Sequence, residues 1–457
     1  MQDLRNDAVE YAHRNREQFL ENLKNLVAIP SVSTNPENQK DVVQAADWLK
    51  NHLLKIGMER AEVMPTNGHP VVYAELLKAG PDKPTILVYG HYDVQPVEPL
   101  ELWESGPFEP TLRGENLYSR GASDMKGQIM ASLSAVESIL KQGPMPVNVK
   151  FILEGEEEIG SPNLPPFLEA NKDLLAADFA LNPDAGMIAV DAPTIIYALR
   201  GLAYFELRIY GPKQDLHSGQ FGGVVHNPAQ ALCELIAGMH DSDGRITLPG
   251  YYDSVRPVSE VERSELSRLP LKDDYYIQQT GASQLWGEKG YTAVERVSAR
   301  PTLEVNGLYS GFTGKGSKTV LPSYAMAKIS MRLVPDQDPT EVRKQLIEYL
   351  DKNTPKTVRY ELDMLGGGYP SISDINAPGA QALAKALEQV WGVRPVYKRE
   401  GGSIPVVADM QKILGFDSVL TGFGLPDDNL HAPNEKLHLP TWYKGIDALI
   451  HFFYNCG

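Results

Sequence analysis

The sequence predicts an α/β domain that is interrupted by an inserted α+β domain, and three observations lead to this fold class. The chain has 457 residues, which is enough for about two or three folding units. Strand and helix patterns alternate in the first half, as they do in a layered α/β sheet. The middle instead contains strands in which apolar and polar residues alternate, and the α/β pattern returns towards the C-terminus.

The first half begins with two predicted amphipathic helices. Apolar residues recur at helical spacing from about Leu4 to Val27. The second helix places its apolar residues on one face, at Val42, Val43, Ala46, Leu49 and Leu53. Apolar and β-branched strands are then predicted to begin at Val71, Thr85, Val147, Asp178 and Thr194. A further helix, GQIMASLSAVESIL, is predicted to begin at Gly127, between the second and third of these strands.

The middle of the chain has a different pattern. Its alternating strands begin at Ala203, Tyr324 and Thr357, and its helices are PAQALCELIAGM, VSEVERSELSRL and EVRKQLIEYLDK. After GGGYP, the helix AQALAKALEQVWG, the strand SVLTGFG and a C-terminal helix from about Thr441 to Phe453 restore the α/β pattern. We therefore predict one domain formed by residues 1–200 and 375–457, with residues 201–374 inserted between its two parts.

Composition and charge exclude several classes of protein. Hydrophobic residues make up 42% and charged residues 22%, as in ordinary soluble globular proteins. The net charge of −16 argues against binding to nucleic acid or to an anionic membrane surface. Two cysteines are too few for a disulfide framework, which favours a reducing compartment. The charged N-terminus does not resemble a secretory signal and no apolar stretch reaches about 18 residues, so we expect a cytoplasmic protein.

Potential metal ligands follow several of the predicted strands. His91 and Asp93 come at the end of the strand TILVYG, and α/β proteins place their sites at the C-terminal ends of strands. One ring nitrogen of His91 could bind a metal while Asp93 holds the other nitrogen, although a hydrogen-bonded structural histidine is the alternative. Asp124 lies in a glycine-flanked loop before a helix, where it could instead be a helix cap.

Four glutamates are concentrated directly after another apolar strand, in FILEGEEEIGS. Glu154, Glu156, Glu157 and Glu158 would repel one another strongly if the loop were buried. A solvated acidic loop is the alternative interpretation. The apolar strand that leads into the cluster and the tight turn that follows it favour the binding of a cation.

Two further segments complete a set of histidines and carboxylates. Asp184 follows a strand in LNPDAG and His431 lies in DDNLHAPNEKL, although each could be a turn residue when considered alone. Mixed imidazole and carboxylate ligands suit Zn, Mn or Co better than Ca or Mg. Two such ions about 3.5–4 Å apart would generate hydroxide and stabilise an oxyanion in a hydrolysis reaction.

Six motifs carry a resemblance to a known family. They occur in the order GHYDVQPV, RGASDMKG, EGEEEIGS, DLHSG, REGGSIP and HAPNEKL. In this order they resemble the two-metal aminoacylase/carboxypeptidase superfamily of metallopeptidases, and most of all its carnosinase-like, cytosolic non-specific dipeptidases. The resemblance covers nearly the whole chain. It implies a zinc-exopeptidase-like catalytic domain, with a mixed sheet and helices on both faces, and an inserted domain that acts as a lid and forms a homodimer.

The resemblance also implies a metal role for each matching residue. His91 and Asp184 would bind one ion. Glu158 and His431 would bind the other, and Asp124 would bridge the two. The family thus implies two divalent ions per subunit, for which we expect Zn²⁺, with Mn²⁺ or Co²⁺ as alternatives.

The same resemblance implies roles for two residues that are not metal ligands themselves. Glu157 would be the general base that takes a proton from the attacking water and passes it to the leaving amine. Asp93 would orient His91. The peptide bond between Asp124 and Met125 is expected to be cis, as in this family.

The resemblance places the remaining functional residues in the inserted domain and in the REGGSIP turn. His217 would reach across a dimer interface and stabilise the oxyanion in the partner's active site. Arg332 would bind the substrate's C-terminal carboxylate with its planar guanidinium group, although a solvated strand arginine is the alternative. Glu400 would recognise the substrate amine or act as a structural acceptor. Gly402 and Ser403 would add donors to the same carboxylate, and Thr319 is a further implied substrate-binding residue.

The predicted function is dinuclear-metal-dependent hydrolysis of dipeptides or small peptides with a free carboxylate. The alternative with the same chemistry is an N-acyl-amino-acid deacylase of the acetyl-ornithine or succinyl-diaminopimelate type. A non-catalytic metal-binding protein would lack a ligand or the base, and none is missing. A dinuclear phosphoesterase would need positive charge for phosphate. Gly366 stands where some carnosinase-like members have a histidine, which argues against carnosine as the substrate.

Overall fold

The structure, a computed structural model, describes residues 4–402 and 404–457 and divides the chain into two compact units. Unit 1 comprises the residues up to Tyr197, together with Ser373–Lys398 and Asp409–Gly457. Unit 2 comprises Ala198–Ile372 and Arg399–Ala408. The ranges predicted from the sequence differ from these units chiefly at residues 399–408, which the prediction places in the second catalytic segment. The function of each range stays a prediction.

The first segment of unit 1 contains both helices and strands. Its helices are α1 (Leu4–Arg14), α2 (Arg16–Val27), α3 (Gln39–Ile56), α4 (Lys126–Leu140), α5 (Leu164–Ala170) and α6 (Lys172–Leu175). Its strands are β1 (Arg60–Met64), β2 (Val71–Leu76), β3 (Thr85–His91), β4 (Thr111–Arg113), β5 (Asn116–Tyr118), β6 (Asn148–Glu154), β7 (Phe179–Asn182) and β8 (Thr194–Leu199). Short 3-10 helices cover Pro36–Asn38, Leu100–Leu102 and Glu157–Ile159.

The elements of unit 2 and of the C-terminal part follow in chain order. The strands are β9 (Gly201–Tyr210), β10 (Leu216–His217), β11 (Thr302–Ser310), β12 (Val320–Leu321), β13 (Tyr324–Leu333), β14 (Arg359–Gly368), β15 (Ser371–Ile372), β16 (Val396–Glu400), β17 (Ser418–Leu420) and β18 (Lys436–His438). The helices are α7 (Ser218–Phe221), α8 (Pro228–Gly238), α9 (Glu260–Ser267), α10 (Asp273–Thr280), α11 (Ala293–Ser298), α12 (Pro339–Asn353), α13 (Pro378–Trp391), α14 (Pro405–Leu414) and α15 (Leu439–Cys456). No helix of the described residues has the length and apolar character needed to cross a membrane.

Unit 1 is built around a mixed sheet with the strand order β1-β2-β6-β3-β7-β17-β8. Strand β3 lies between β6 and β7 and pairs in parallel with both, and β17 is parallel to β7. The pairs β1–β2 and β2–β6 are antiparallel. This mixed sheet with its associated helices confirms the predicted fold class.

The central strands are apolar runs because both of their faces are covered. Every residue of β6 is buried, and so is every residue of β3 after Thr85. Continuous apolar strands of this kind are typical of sheets with parallel pairing that are covered on two sides. Helix α4 packs against β3 and against α1, α2 and α15, and its residues from Lys126 to Val136 are all buried.

Unit 2 contains an antiparallel sheet with the order β11-β13-β9-β14. Alternate residues of β13 are buried, as the alternating sequence pattern predicts. The buried face, with Phe205 and Ile329, packs against residues of α8 and α12 such as Leu232 and Leu346. The opposite face of the sheet carries Arg332.

His52 is a buried ionisable residue of α3 in unit 1. It is 6% exposed, and its ring stacks on Trp48 with the ring centroids 4.9 Å apart. Burial lowers the pKa of His52 to about 4, and the positive charge of Lys55 contributes to the shift. The folded protein therefore favours the neutral imidazole, whereas a histidine in the unfolded chain has a pKa of about 6.5.

We predict that replacing His52 with Phe removes one source of instability in acid. Because the pKa in the folded state lies below that in the unfolded state, the contribution of neutral His52 is present above about pH 6.5 and is lost as the pH falls towards 4. Between pH 7 and pH 4.5 the difference in unfolding free energy should change by about 2–3 kcal/mol in favour of His52→Phe. Urea unfolding followed by circular dichroism measures this difference.

Leu53→Ala is the matched control, because Leu53 is buried on the same helix but does not ionise. This variant should lose about 2–5 kcal/mol of stability to a similar extent at both pH values. A stability difference between wild type and His52→Phe that does not change with pH would contradict the lowered pKa.

Candidate metal centre

The side chains of the candidate centre come from the C-terminal ends of adjacent strands. His91 is the last residue of β3, Glu157 and Glu158 follow β6, and Asp184 follows β7. Because β6, β3 and β7 are neighbouring parallel strands, their C-terminal ends meet at one edge of the sheet. Asp124 comes from the loop before α4. The topology thus brings together residues that are widely separated in the sequence.

The first group of potential ligands contains His91, Asp124 and Asp184. The Nε2 atom of His91 lies 3.1 Å from Oδ1 of Asp124 and 3.8 Å from Oδ1 of Asp184. One ligand atom from each residue lies within 4.8 Å of the others. The His91 side chain is buried, whereas the two carboxylates are partly accessible. One imidazole and two carboxylates around a common point can hold a divalent cation.

The second group shares Asp124 with the first and adds Glu158 and His431. The Nε2 atom of His431 lies 3.0 Å from Oδ2 of Asp124 and 3.5 Å from Oε2 of Glu158. These ligand atoms also lie within 4.8 Å of one another. Asp124 therefore directs Oδ1 towards the first group and Oδ2 towards the second, which is the arrangement of a bridging carboxylate.

The electrostatics of the centre fit a cation. Burial raises the pKa of Glu158 to about 7, an effect that His91 opposes and the charge of Asp124 reinforces. Burial also raises the pKa of Asp184 well above its ordinary value, with His91 opposing the shift and Asp124 adding to it. Several carboxylates are thus held together where water screens them poorly. A divalent cation would offset their repulsion and favour their ionised forms.

Asp93 links two sides of the centre. Its carboxylate is fully buried, and Oδ1 lies 3.4 Å from Nδ1 of His91. The same carboxylate accepts the backbone N–H of Glu157 at 3.2 Å and that of Glu158 at 3.1 Å. Asp93 therefore lies where it can orient His91, and it also fixes the turn that carries the two glutamates.

Glu157 and the loop that carries Asp124 each have one feature that bears on the chemistry of the centre. Burial raises the pKa of Glu157, with His91 opposing this effect and Asp124 adding to it, which moves the carboxyl group towards the range of a general base. The peptide bond between Asp124 and Met125 is cis, which confirms the prediction.

Glu435 is a structural contributor that the sequence reasoning missed. It is fully buried, and its Oε1 accepts the backbone N–H groups of Ser123 at 3.0 Å and Asp124 at 3.1 Å. Its Oε2 accepts Nη1 of Arg120 at 2.8 Å and the N–H of Gly121 at 3.0 Å. All four contacts go to the loop that carries Asp124. The available signal was its position in HAPNEKL, four residues after His431.

The loop around His431 is strained and anchored. His431 has a φ of 59°, and Asn429 and Asn434 are also left-handed at 57° and 61°. Asn434 fixes the loop, because its side chain accepts the N–H of Glu104 at 2.9 Å and donates to the carbonyl of Leu102 at 2.7 Å. Non-glycine residues in this conformation often occur at functional sites.

Gln95 supports the second group directly, and Glu156 holds the segment next to the two glutamates in place. Gln95 donates from Nε2 to Oε2 of Glu158 at 2.7 Å, a contact that the sequence did not predict. Glu156 is buried and accepts the N–H of His69 at 2.8 Å and Nδ2 of Asn163 at 2.9 Å. These contacts give Glu156 a structural role, although the sequence analysis assigned it none.

The other predicted site residues belong to unit 2. His217 ends β10, is exposed, and accepts the N–H of Gly219 at 3.0 Å. Thr319 is exposed. Arg332 lies on the outer face of β13, which is the face that points away from α8 and α12. Glu400 ends β16 and accepts the N–H of Gly401 at 2.8 Å.

Two residues of the REGGSIP turn complete this set. The carbonyl of Gly402 accepts the N–H of Arg200 at 3.2 Å. Ser403 lies outside the described residues. The structure brings the metal-ligand candidates of unit 1 together, whereas the substrate roles of the residues in unit 2 stay predictions.

Comparisons with known proteins agree on one family. Residues 87–455 match peptidase family M20/M25/M40. The chain is 31% identical to the Cys-Gly metallodipeptidase DUG1 of Candida albicans, over 95% of this chain and 94% of that protein. It is 32% identical to the Beta-Ala-His dipeptidase of Homo sapiens, over 97% of this chain and 91% of the human protein.

Solved structures give the same result. The M20 family metallo-carboxypeptidase Sso-CP2 of Sulfolobus solfataricus is similar with a TM-score of 0.82 and 35% identity, over 96% of this chain and 99% of that one. Human carnosine dipeptidase 1 is similar with a TM-score of 0.77 and 30% identity, over 99% of this chain and 98% of that one.

We predict that Glu435→Gln weakens the binding of divalent metal by about 10–100-fold, as is usual when a group that orients a ligand is lost. The amide nitrogen of glutamine cannot accept a hydrogen bond from Arg120 or Gly121, so the loop that carries Asp124 loses part of its support. Isothermal titration of metal-stripped protein with Zn²⁺ or Mn²⁺ measures the change.

Glu288→Gln is the matched control. Glu288 is buried in unit 2 and forms an ion pair with Arg300 at 2.7 Å, so this variant also breaks a buried pair. Each variant should lose about 3–5 kcal/mol of stability, but only Glu435→Gln should lose metal affinity. Equal metal affinity in the two variants would show that Glu435 does not position the ligands.

Proposed function

The chain belongs to peptidase family M20/M25/M40, and from this premise we propose that it is a dipeptidase with two divalent metal ions in each subunit. The single observation that carries the proposal is the position of Asp124, whose two carboxylate oxygens face two separate groups of potential ligands. Dipeptidases among its relatives support the substrate class. The protein hydrolyses the peptide bond of small substrates that have a free carboxylate.

The residues present fit a pair of transition metal ions. His91 and Asp184 would hold one ion, Glu158 and His431 the other, and Asp124 both. Imidazole and carboxylate ligands favour Zn²⁺, with Mn²⁺ or Co²⁺ as alternatives, over Ca²⁺ and Mg²⁺. Ions bound here would acidify a water molecule and polarise the substrate carbonyl.

Glu157 performs the proton transfers of the proposed mechanism. As general base it accepts a proton from the water that adds to the carbonyl carbon. As general acid it then returns this proton to the nitrogen when the C–N bond breaks, which releases an amine and a carboxylate. Burial raises the pKa of Glu157, which favours a carboxyl group that can take up a proton and return it.

Residues of unit 2 bind and orient the substrate in this proposal. Arg332 binds the C-terminal carboxylate, and Glu400 binds the substrate amine. Gly402 and Ser403 supply further donors to the carboxylate, and Thr319 is a further substrate contact. The outer face of β13 leaves Arg332 partly accessible, which supports its role.

His217 acts in the active site of a partner subunit, and the protein is a homodimer formed through unit 2. Exposed apolar side chains near His217 support this part of the proposal. The apolar side chains of Phe221 and Val224 are 39% and 82% exposed. A covering partner would remove them from water.

The proposed location is the cytoplasm. Both cysteines of the chain, Cys233 and Cys456, are free. Free thiols and the lack of any disulfide pair suit a reducing compartment.

The function is tested with Ala-Ala, N-acetyl-alanine and Glu157→Gln. We predict that the metal-loaded protein cleaves Ala-Ala, that a chelator abolishes this activity, and that Glu157→Gln lowers kcat by about 10²–10⁴-fold while the metal content stays unchanged. Hydrolysis is followed by release of free alanine, and metal content by inductively coupled plasma mass spectrometry.

Glu169→Gln is the matched control, because Glu169 is exposed on α5 and pairs only with Lys172 among the ion pairs of the described residues. This variant should retain full activity. Turnover of N-acetyl-alanine without cleavage of Ala-Ala would make the protein a deacylase instead. A Glu157→Gln variant with wild-type kcat would refute the role of Glu157.

The dimeric site makes a separate prediction. His217→Ala and Glu157→Gln should each be inactive alone, but mixed dimers contain one site with both wild-type groups. After equal amounts are mixed and the subunits exchange, about a quarter of wild-type activity should return, because half of the dimers are mixed and each has one intact site.

Subunit exchange is verified independently by native mass spectrometry of differently tagged chains. Exchange without any recovery of activity would exclude a role for His217 in the partner's site. A monomeric protein with full activity would exclude the dimeric site altogether.

A further inference from the structure

A cavity of about 430 Å³ lies on the outer face of the sheet in unit 2, and Arg332 forms part of its wall. Arg332 is paired in register with Thr302 of β11. Because alternate residues of a strand face the same side, Ser330 and Glu304 lie on this face as well. The volume of the cavity falls within the usual range for small-molecule sites, which is about 300–1,000 Å³.

Part of the cavity lining is apolar and partly aromatic. Leu285 and Trp286 contribute from the segment before α11, Val297 from α11 and Tyr276 from α10. Trp286 is 69% exposed, which is a high fraction for tryptophan. Its indole ring packs edge-on against His240, with the ring centroids 5.3 Å apart. An exposed tryptophan held at the wall of a cavity is suited to contact a ligand.

The cavity adjoins the residues that are proposed to bind the substrate's carboxylate. Arg200 is part of its lining, and Nε of Arg200 donates to the carbonyl of Gly401 at 2.9 Å. The backbone N–H of Arg200 donates to the carbonyl of Gly402 at 3.2 Å. The cavity therefore contains Arg332 and is hydrogen-bonded, through Arg200, to the turn that carries Gly402.

We infer that this cavity receives the side chain of the substrate's C-terminal residue and selects for large aromatic residues. The inference rests on the proposed function, in which Arg332 binds the terminal carboxylate. That carboxylate and the side chain of the same residue are attached to one Cα atom. A substrate whose carboxylate contacts Arg332 therefore directs its C-terminal side chain into the space that Arg332 lines.

The charged side chains that line the cavity indicate which C-terminal residues it favours. Four arginines and two glutamates line it: Arg200, Arg296, Arg300, Arg332, Glu288 and Glu304. An excess of positive charge disfavours a C-terminal lysine or arginine by repulsion. The face of an aromatic ring on the substrate can contact the guanidinium groups, and the edge of the same ring can contact Trp286. A C-terminal glycine would leave the cavity empty and gain none of these contacts.

The substrate preference is measured as kcat/KM of the metal-loaded, full-length protein on Ala-Gly, Ala-Ala, Ala-Phe and Ala-Lys. Ala-Phe should exceed Ala-Gly by at least about 10–200-fold, because one methylene group in an apolar pocket already provides discrimination of this size. Ala-Lys should fall below Ala-Ala. An Ala-Gly value equal to or above that of Ala-Phe overturns the inference, and so does efficient cleavage of Ala-Lys.

Trp286→Ala tests whether the cavity itself causes the preference. The ratio of kcat/KM for Ala-Phe to that for Ala-Gly should fall about tenfold, mainly through a higher KM for Ala-Phe. Val261→Ala is the control, since Val261 is 71% exposed on α9 and does not line the cavity. This control should keep the wild-type ratio. A Trp286→Ala variant with the wild-type ratio overturns the inference.

N-acetyl-phenylalanine and N-acetyl-glycine separate this inference from the proposed function. They have the same terminal carboxylate and side chain as the dipeptides but lack a free amine. If no dipeptide is cleaved, a preference for N-acetyl-phenylalanine that Trp286→Ala removes still supports the cavity while the dipeptidase function fails. If dipeptides are cleaved without any preference for phenylalanine, the function stands and the cavity inference fails.

Discussion

The geometry of the candidate metal centre depends on one buried carboxylate, that of Glu435. A buried charge is costly unless it is paired and hydrogen-bonded, and Glu435 meets both conditions through Arg120 and three backbone N–H groups. Glu435 lies 311 residues from Asp124 in the chain and only four from His431. These contacts therefore join the segment that carries His431 to the loop that carries Asp124, and Nε2 of His431 lies 3.0 Å from Oδ2 of Asp124.

The central sheet supplies the rest of the centre by topology. Parallel pairing of β3 with β6 and β7 brings His91, the glutamate turn and Asp184 to a common edge. Asp93 then joins the first two, because its carboxylate lies beside His91 and accepts the backbone N–H groups of the turn. These mostly apolar strands thus place the polar side chains of the centre at or just after their C-terminal ends. This explains how a chain with a net charge of −16 can collect several carboxylates in one place.

The sequence predicted the fold class and the residues that meet at the centre, because both leave local patterns. Strand ends, motif order and the acidic run mark His91, Asp124 and Glu158. Glu435 and Gln95 were missed because a side chain that bonds to backbone N–H groups or to one distant carboxylate has no periodic signature. The structural units differ from the predicted ranges near residue 399, since β16 runs from Val396 to Glu400 across that point and sequence patterns follow secondary structure rather than packing.

On the proposed function, the division of the chain into two units separates the groups common to the reaction from those that distinguish substrates. Two relatives with nearly the same sequence identity to this chain are named as dipeptidases of Cys-Gly and of Beta-Ala-His. These two dipeptides differ in both residues. All dipeptides present the same peptide bond to the metal centre, so contacts at that bond cannot tell one from another. Discrimination must come from side chains that contact the remainder of the substrate. On the proposed function these lie in unit 2, where Arg332 fixes one end of the substrate and the cavity beside it meets the variable side chain.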